Sequence, residues 1–117
     1  MKDNILKDKS YAFALRSIKL FQYLTSEQKE YVLSKQLLRS GTSIGANIEE
    51  VFQGESKSDF IHKLAIANKE AFETHYWLRL LRDSNILTPV QAESLLKECD
   101  ELQRMLVSAI KTSKKRS

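Results

Sequence analysis

Acidic, histidine, cysteine and serine side chains are the residues of this chain that could catalyse a reaction or bind a metal. A di-iron bundle needs two Glu-x-x-His motifs and two further inward carboxylates, and only Asp59-Phe-Ile-His62 approaches that spacing. This motif uses Asp and lies at a predicted helix start. Two scattered histidines and one cysteine supply no zinc ligand set either. We therefore expect no metal site.

Nucleophilic and acid–base catalysis are not indicated. None of the serines lies in a Gly-x-Ser-x-Gly motif. Cys99 falls on the predicted apolar face of a helix, so we interpret it as a small core residue rather than a nucleophile. Glu49 and Glu50 are sequence neighbours, about 100° apart on a helix, and cannot face each other across a substrate. We expect a protein that is not an enzyme and has no cofactor.

One polar pair interrupts an apolar helix face. Asn68 and His75 are seven residues apart on the third predicted helix. As a functional pair, they could form a ligand or proton site. As a structural pair, they would form buried hydrogen bonds that fix helix register, and we favour this interpretation.

The composition is typical of one helical domain. The 117 residues are 42% hydrophobic and 29% charged, with three glycines and one proline, which leaves little room for turns. A single cysteine cannot form an intramolecular disulfide. The sequence shows no signal peptide and no apolar run of about 18 residues. We expect a cytoplasmic protein without a membrane partner.

The net charge of +4 arises at the C-terminal end. Of nineteen Lys and Arg residues, four lie in residues 111–117, which leaves fifteen basic and fifteen acidic side chains in residues 1–110. We predict that residues 1–110 form the folded domain and residues 111–117 a basic, disordered tail. The tail could attract phosphates non-specifically, or it could be a frayed and solvated terminus.

Hydrophobic periodicity predicts four amphipathic helices. Thr25 or Ser26 is the expected cap of the second helix, which should end at Gly54. Ser56 should open the third helix, and Thr88 should cap the fourth. Short links between four helices predict an all-α, antiparallel up-down-up-down four-helix bundle. The predicted helices cover residues 4–24, 26–53, 56–83 and 88–110. The predicted core seam of the fourth helix is Ala92, Leu95, Cys99, Leu102, Leu106 and Ala109.

Two glycines, Gly41 and Gly45, interrupt the apolar pattern of the second helix and should cost about 1 kcal/mol each relative to alanine. Close approach of another backbone would offset that cost. A turn or phosphate-binding loop is the alternative, but no strand precedes it and no glycine-rich phosphate motif is present. We predict an unbroken helix with a close packing contact at Gly41, Ser43, Gly45 and Ala46.

The first helix carries two apolar stripes. One stripe contains Tyr11, Ala14, Leu15, Ile18 and Phe21, and the second stripe, beside it, contains Leu6, Phe13, Leu20 and Leu24. Together they are wider than a helix needs to cover one core, so we expect a second contact with a neighbouring subunit. The residues predicted for that oligomer interface are Phe13, Leu20, Leu24, Trp77 and Leu81.

The chain resembles a known protein family over essentially its whole length. The resemblance is carried by three segments: Ser34–Glu50, Ser56–Leu64 and Glu73–Leu81. The run Arg-Ser-Gly-Thr-Ser-Ile-Gly-Ala-Asn-Ile-Glu-Glu within the first is its most specific part. The chain resembles the bacterial four-helix-bundle family named for proteins encoded in intervening sequences of 23S rRNA genes. That family includes the accessory variability proteins of diversity-generating retroelements. The resemblance implies a ring-like homopentamer, and it implies that retroelement members hold nucleic acid and a reverse transcriptase on a basic surface.

The neutral charge of residues 1–110 departs from the strongly basic nucleic-acid-binding relatives. We therefore expect a non-enzymatic, homo-oligomeric scaffold or interaction module whose partners are further copies of itself and another protein. The alternative is an RNA- or DNA-binding accessory protein that acts with an rRNA or a reverse transcriptase. The nucleic-acid-binding residues expected for that alternative are Lys63, Lys69, Arg79, Arg82, Lys111, Lys114, Lys115 and Arg116.

Overall fold

Four α-helices make up the protein. The computed structural model describes residues 2–54 and 56–115, and no strand occurs within them. The predicted all-α four-helix bundle is confirmed. The helices are α1 (Lys2–Ser26), α2 (Leu33–Val51), α3 (Lys57–Asp83) and α4 (Pro89–Lys115).

Consecutive helices run antiparallel. Between α2 and α3, Lys63 Nζ lies 2.7 Å from Glu50 Oε1, and Arg39 contacts Glu73 at 2.8 Å. Residue numbers therefore fall along α2 as they rise along α3. Each helix packs against the next, and α4 returns beside α1, which gives the up-down-up-down arrangement.

The starts of α3 and α4 follow the predicted capping chemistry. Ser56 Oγ accepts a hydrogen bond of 3.1 Å from the backbone N–H of Asp59. Thr88 and Gln91 cap each other, because each side-chain oxygen accepts a hydrogen bond from the other residue's backbone N–H. These bonds satisfy N–H groups that have no partner within the helix.

The predicted start of α2 is wrong. α1 continues to Ser26 and α2 begins at Leu33, because the Glu30 carboxylate accepts backbone N–H groups from Val32, Leu33 and Ser34 at 2.7–3.1 Å. α2 therefore has 19 residues and is about 28 Å long. It is unbroken, as predicted.

The predicted C-terminal signals also need correction. α2 ends at Val51, and none of the glycines has the positive φ expected of Gly54 as a C-terminal cap. α4 continues to Lys115, so residues 111–115 are helical where a disordered tail was expected. Arg116 and Ser117 lie outside the described residues.

The core runs along the centre of the bundle and includes the predicted α4 seam. Ala92, Cys99 and Leu106 are fully buried, and Ala109 packs against the core from its edge. From α1, the core takes Leu6, Phe13 and Leu24. The other large buried side chains are Leu37, Ile44, Ile48, Val51, Leu64, Leu78, Leu81, Leu87, Leu95, Leu96 and Leu102.

The four seams of the bundle differ in chemistry. Two small-residue pairs bring α1 and α2 together, and a Cβ atom at Gly45 would lie 3.2 Å from the Ser10 carbonyl oxygen. By contrast, α1 meets α4 over the smallest contact of the four seams. Ion pairs link these two helices, with Arg16 2.6 Å from Glu98 and Lys9 3.0 Å from Glu101.

Candidate interaction surfaces

The residues considered for catalysis have structural contacts. Glu50 pairs with Lys63, and Glu49 pairs with Lys7 at 3.6 Å. Cys99 is buried and its thiol donates to the Ala71 carbonyl oxygen at 3.1 Å. Burial, and then the nearby negative charge of Asp100, raise the pKa of this thiol to about 12. At neutral pH it is therefore not a thiolate nucleophile.

His62 is exposed at the start of α3. Within residues 2–54 and 56–115, no group of three or more His, Cys, Asp or Glu side chains could hold a metal ion.

Asn68 and His75 do not form a pair. His75 Nε2 lies 3.0 Å from Asp100 Oδ1 on α4, and its Nδ1 accepts a hydrogen bond of 3.0 Å from Arg79 Nε. His75 therefore links α3 to α4. The Asn68 Oδ1 atom is buried and accepts no hydrogen bond from the residues that the structure describes.

The small-residue contact of α2 involves the two glycines. Gly41 and Gly45 are buried and face Ser17 and Ser10 of α1. Ser43 is half-buried and its hydroxyl donates to the Arg39 carbonyl oxygen of its own helix. Ala46 is exposed. Ser43 and Ala46 are thus outside the contact with α1, since both point away from the α2 face that carries Gly41 and Gly45.

Three of the predicted oligomer-interface residues cannot serve in one. The exposed fraction of Phe13 is 1%, and those of Leu24 and Leu81 are 0%. These side chains belong to the monomer's own core. Leu20 and Trp77 are half-buried and pack against that core. The α1 stripe that was predicted to form the oligomer interface therefore packs into the core of the monomer.

The other stripe of α1 faces solvent. Tyr11, Leu15 and Ile18 are 63%, 48% and 39% exposed, and Ala14 lies half-buried beside them. We call these four residues the α1 outer face. The signal that distinguishes the stripes is the pair Ser10 and Ser17, because their small side chains match the glycines of α2.

Among the basic residues considered for nucleic-acid binding, Lys63, Arg79 and Arg82 contact other side chains of the bundle. Lys63 pairs with Glu50, and Arg82 pairs with Asp83 at 2.8 Å. Arg79 donates to His75, and its guanidinium lies 5.7 Å from the centre of the Tyr76 ring. Lys69 is exposed on α3. Lys114 is exposed near the end of α4, and Arg116 lies outside the described residues.

Lys111 and Lys115 share a groove with Phe72 and Arg104, two residues that the sequence did not indicate as binding residues. The groove lies between α3 and α4 and has a volume of about 770 Å³. We call it the α3–α4 groove. The ring of Phe72 is 65% exposed. Phe72 and Arg104 are 32 positions apart. Helix periodicity predicts on which face of its own helix each residue lies, but it does not predict that the two residues line one groove.

No helix in the described ranges, 2–54 and 56–115, is both long and apolar enough to cross a membrane.

Comparison with known proteins shows the family. A protein of unknown function from Bacteroides thetaiotaomicron, assigned to the S23 ribosomal protein family, is 55% identical to this chain. Its crystal structure superposes with a TM-score of 0.93, and the match covers 95% of this chain and 99% of the other. No curated protein matches the chain. The profile of the family described as 23S rRNA-intervening sequence protein matches residues 2–108, and the chain therefore belongs to this family.

Proposed function

We propose that the protein is a non-enzymatic, homo-oligomeric scaffold or interaction module that associates with further copies of itself through the α1 outer face. The observation that carries this proposal is the exposure of Tyr11, Leu15 and Ile18 on one side of a single helix. Residues at positions i, i+4 and i+7 form a continuous stripe. Contiguous exposed apolar surface of this kind marks interaction sites on soluble proteins.

The α1 outer face is not needed for the fold. The neighbouring stripe of α1 supplies Leu6, Phe13 and Leu24 to the core, so the bundle is complete without Tyr11 and Leu15. Burying a large apolar side chain contributes about 1.5–3 kcal/mol relative to leaving it exposed. Several such side chains per subunit would favour association. The family resemblance supports a ring-like homopentamer as the form of that association.

The proposal of a non-enzymatic role has separate support. Cys99 is a core thiol with a raised pKa, and the Glu49 and Glu50 carboxylates are engaged with lysines on the neighbouring helices. An active site normally collects perturbed titratable groups in one cleft. Here, by contrast, Cys99 packs in the core, and Glu49 and Glu50 form ion pairs with lysines of two different helices.

Light scattering and native mass spectrometry of the purified protein test the association. We expect one discrete oligomer of about five copies for the wild type. Leu15→Lys with Ile18→Lys should give folded monomers, because two buried charges would be unpaired at the interface. Val90→Lys is the matched control, since Val90 is 80% exposed at the start of α4 and its change should leave the oligomer intact.

Two results would contradict self-association. One is a monomeric wild type at micromolar concentration. The other is an unchanged oligomer in the Leu15→Lys, Ile18→Lys variant with helical circular dichroism preserved, which would place any interface elsewhere.

A second candidate function is RNA or DNA binding as an accessory protein, as in the retroelement proteins that the sequence resembles. The observation that favours it is the charge of α4 from residue 102 to 115, which includes Arg104, Lys111, Lys114 and Lys115 and no acidic residue. The names 23S rRNA-intervening sequence protein and S23 ribosomal protein family also suggest an RNA setting.

Binding to a structured RNA, measured by fluorescence anisotropy at several salt concentrations, tests this candidate. The logarithm of the binding constant should fall steeply with the logarithm of the salt concentration, because Lys and Arg contacts release counterions from the phosphates. Deletion of residues 111–117 should weaken binding and reduce that slope. An affinity too weak to measure at low salt would exclude the function.

A further inference from the structure

We propose that the α3–α4 groove binds single-stranded nucleic acid, with the Phe72 ring stacking on a base while Arg104, Lys111 and Lys115 contact the phosphates. This inference rests on the nucleic-acid-binding function proposed above and assigns to it a site and a class of ligand. It begins from a groove in which an exposed aromatic ring and three basic side chains occur together.

Phe72 has no evident role in the fold. It is 65% exposed, whereas its neighbour Ala71 is fully buried against α4. An exposed phenyl ring on a rigid helix is already positioned for stacking and loses little conformational freedom on binding. Aromatic side chains of this kind hold successive bases in proteins that bind single strands. Val107, 37% exposed, lines the same groove and extends the apolar surface beside the ring.

The charge of the groove suits a phosphate backbone. Arg104, Lys111 and Lys115 follow one another along one side of α4, about 10 and 6 Å apart along the helix axis. None of them is in a salt bridge with another residue in the described part of the chain. The acidic residue that lines the groove, Asp100, lies 3.0 Å from His75. The groove therefore presents more positive than negative charge.

An exposed aromatic ring beside three basic side chains favours a single strand over a duplex as the ligand. In a duplex the base faces are stacked on one another, so a duplex would use the basic residues and leave the Phe72 ring without a partner. An unpaired strand can offer both its phosphates and a base face. The polar side chains of Gln103, Ser108 and Thr112, which also line the groove, could form hydrogen bonds with sugar hydroxyls or base edges.

Fluorescence anisotropy with labelled oligonucleotides of uridine or adenosine, compared with a hairpin duplex of similar length, tests the inference. We expect the wild type to prefer the single strands. Phe72→Ala should weaken that binding about 5- to 150-fold, the range expected when one stacked base is lost. Phe72→Trp should retain it. Tyr31→Ala is the matched control, since Tyr31 is 53% exposed in the α1–α2 link and should not affect binding.

Substitution of the basic residues should change the salt dependence of binding. Lys111→Gln with Lys115→Gln should reduce the salt slope for single strands by about 1.4, because each phosphate contact contributes about 0.7. Phe72→Ala should leave the slope unchanged. Light scattering should show the same assembly for all variants.

Three other results of these experiments would each contradict a specific part of the proposal. If duplex and single strand bind equally and Phe72→Ala has no effect, the inference is wrong while nucleic-acid binding stands. If Phe72→Ala changes the assembly, the ring belongs to a subunit interface and the inference is wrong. If the wild type binds neither class of nucleic acid, the proposed nucleic-acid function fails as well.

Discussion

Gly45 of α2 faces the backbone of α1 so closely that a Cβ atom on it would lie 3.2 Å from the carbonyl oxygen of Ser10. The contact is with main chain, which cannot rotate away as a side chain can. The conformational cost of glycine in a helix, about 1 kcal/mol, is thus offset by the close packing of two helices.

We predict that Gly45→Leu lowers the free energy of unfolding by a few kcal/mol, because a large side chain must push α1 and α2 apart. Chemical denaturation followed by circular dichroism measures it. Ala46→Leu is the control: Ala46 is exposed on the same helix, and its change should stay within about 0.5 kcal/mol. Equal melting temperatures for Gly45→Leu and the wild type would mean that α1 does not pack here.

The neighbouring pair allows a compensation experiment. A Cβ atom on Gly41 would overlap Ser17 Oγ and would lie 2.9 Å from Ser17 Cβ. We predict that Gly41→Ala destabilises the protein despite alanine's better helix propensity. Ser17→Gly should cost about 0.5 kcal/mol by itself, because serine has a helix propensity between those of alanine and glycine. It should also remove the obstacle to the new methyl group.

The double variant Gly41→Ala, Ser17→Gly should therefore be more stable than the sum of the single changes implies. A double-mutant cycle of unfolding free energies should give a favourable coupling of about 0.5–3 kcal/mol. Additive effects would show that the clash is relieved in some other way, such as a shift of the whole helix.

The Glu30 carboxylate should make stability depend on pH. Partial burial raises the pKa of this carboxyl, but the hydrogen bonds from Leu33, Ser34 and Val32 outweigh burial and hold it below its usual value. A group with a lowered folded-state pKa stabilises the fold above its unfolded-state pKa. That contribution is lost as the pH falls through the folded-state pKa.

We therefore predict that Glu30→Gln destabilises the protein by about 1 kcal/mol at neutral pH. The difference from wild type should shrink as the pH falls below the ordinary pKa of a glutamate and through the lower folded-state pKa of Glu30. Unfolding curves at several pH values measure it, and Glu27→Gln, an exposed residue of the same link, is the control. A difference that stays constant down to low pH would mean that the charge of Glu30 does not contribute.

These features also show which parts of the fold the sequence could predict. The starts of α3 and α4 depend on residues three positions apart, Ser56 with Asp59 and Thr88 with Gln91, so local capping chemistry was sufficient. The start of α2 was missed because Thr25 and Glu30 both offer acceptors. The Thr25 hydroxyl instead donates to the carbonyl oxygen of Phe21 within α1.

The two stripes of α1 could not be assigned from hydrophobicity alone. Counting apolar residues favours the stripe with Tyr11 and Leu15 as strongly as the one with Phe13 and Leu24. The structure buries the second stripe because Ser10 and Ser17 on that side allow α1 to approach the α2 glycines. The candidate site likewise depends on tertiary packing. Phe72 and Lys111 are far apart in the sequence, so no local sequence pattern predicts that they line the same groove.

The thiol of Cys99 should report opening of the core. It is fully buried and donates to the Ala71 carbonyl oxygen, and its pKa is raised to about 12. We predict that iodoacetamide does not modify native Cys99 at pH 8, because an ordinary exposed thiol has a pKa near 8.5 and this one is both protonated and inaccessible.

A Ser58→Cys variant supplies the comparison within one molecule, since Ser58 is exposed in the first turn of α3. Mass spectrometry of the digested protein over time should show rapid modification at position 58. Modification of Cys99 should become detectable as denaturant approaches the unfolding midpoint, because access then depends on the population of the open state. Similar rates at both positions without denaturant would contradict the burial of Cys99 between α3 and α4. With closed packing, the rate at Cys99 should instead follow the unfolding free energy, so that Gly45→Leu accelerates it and Ala46→Leu does not.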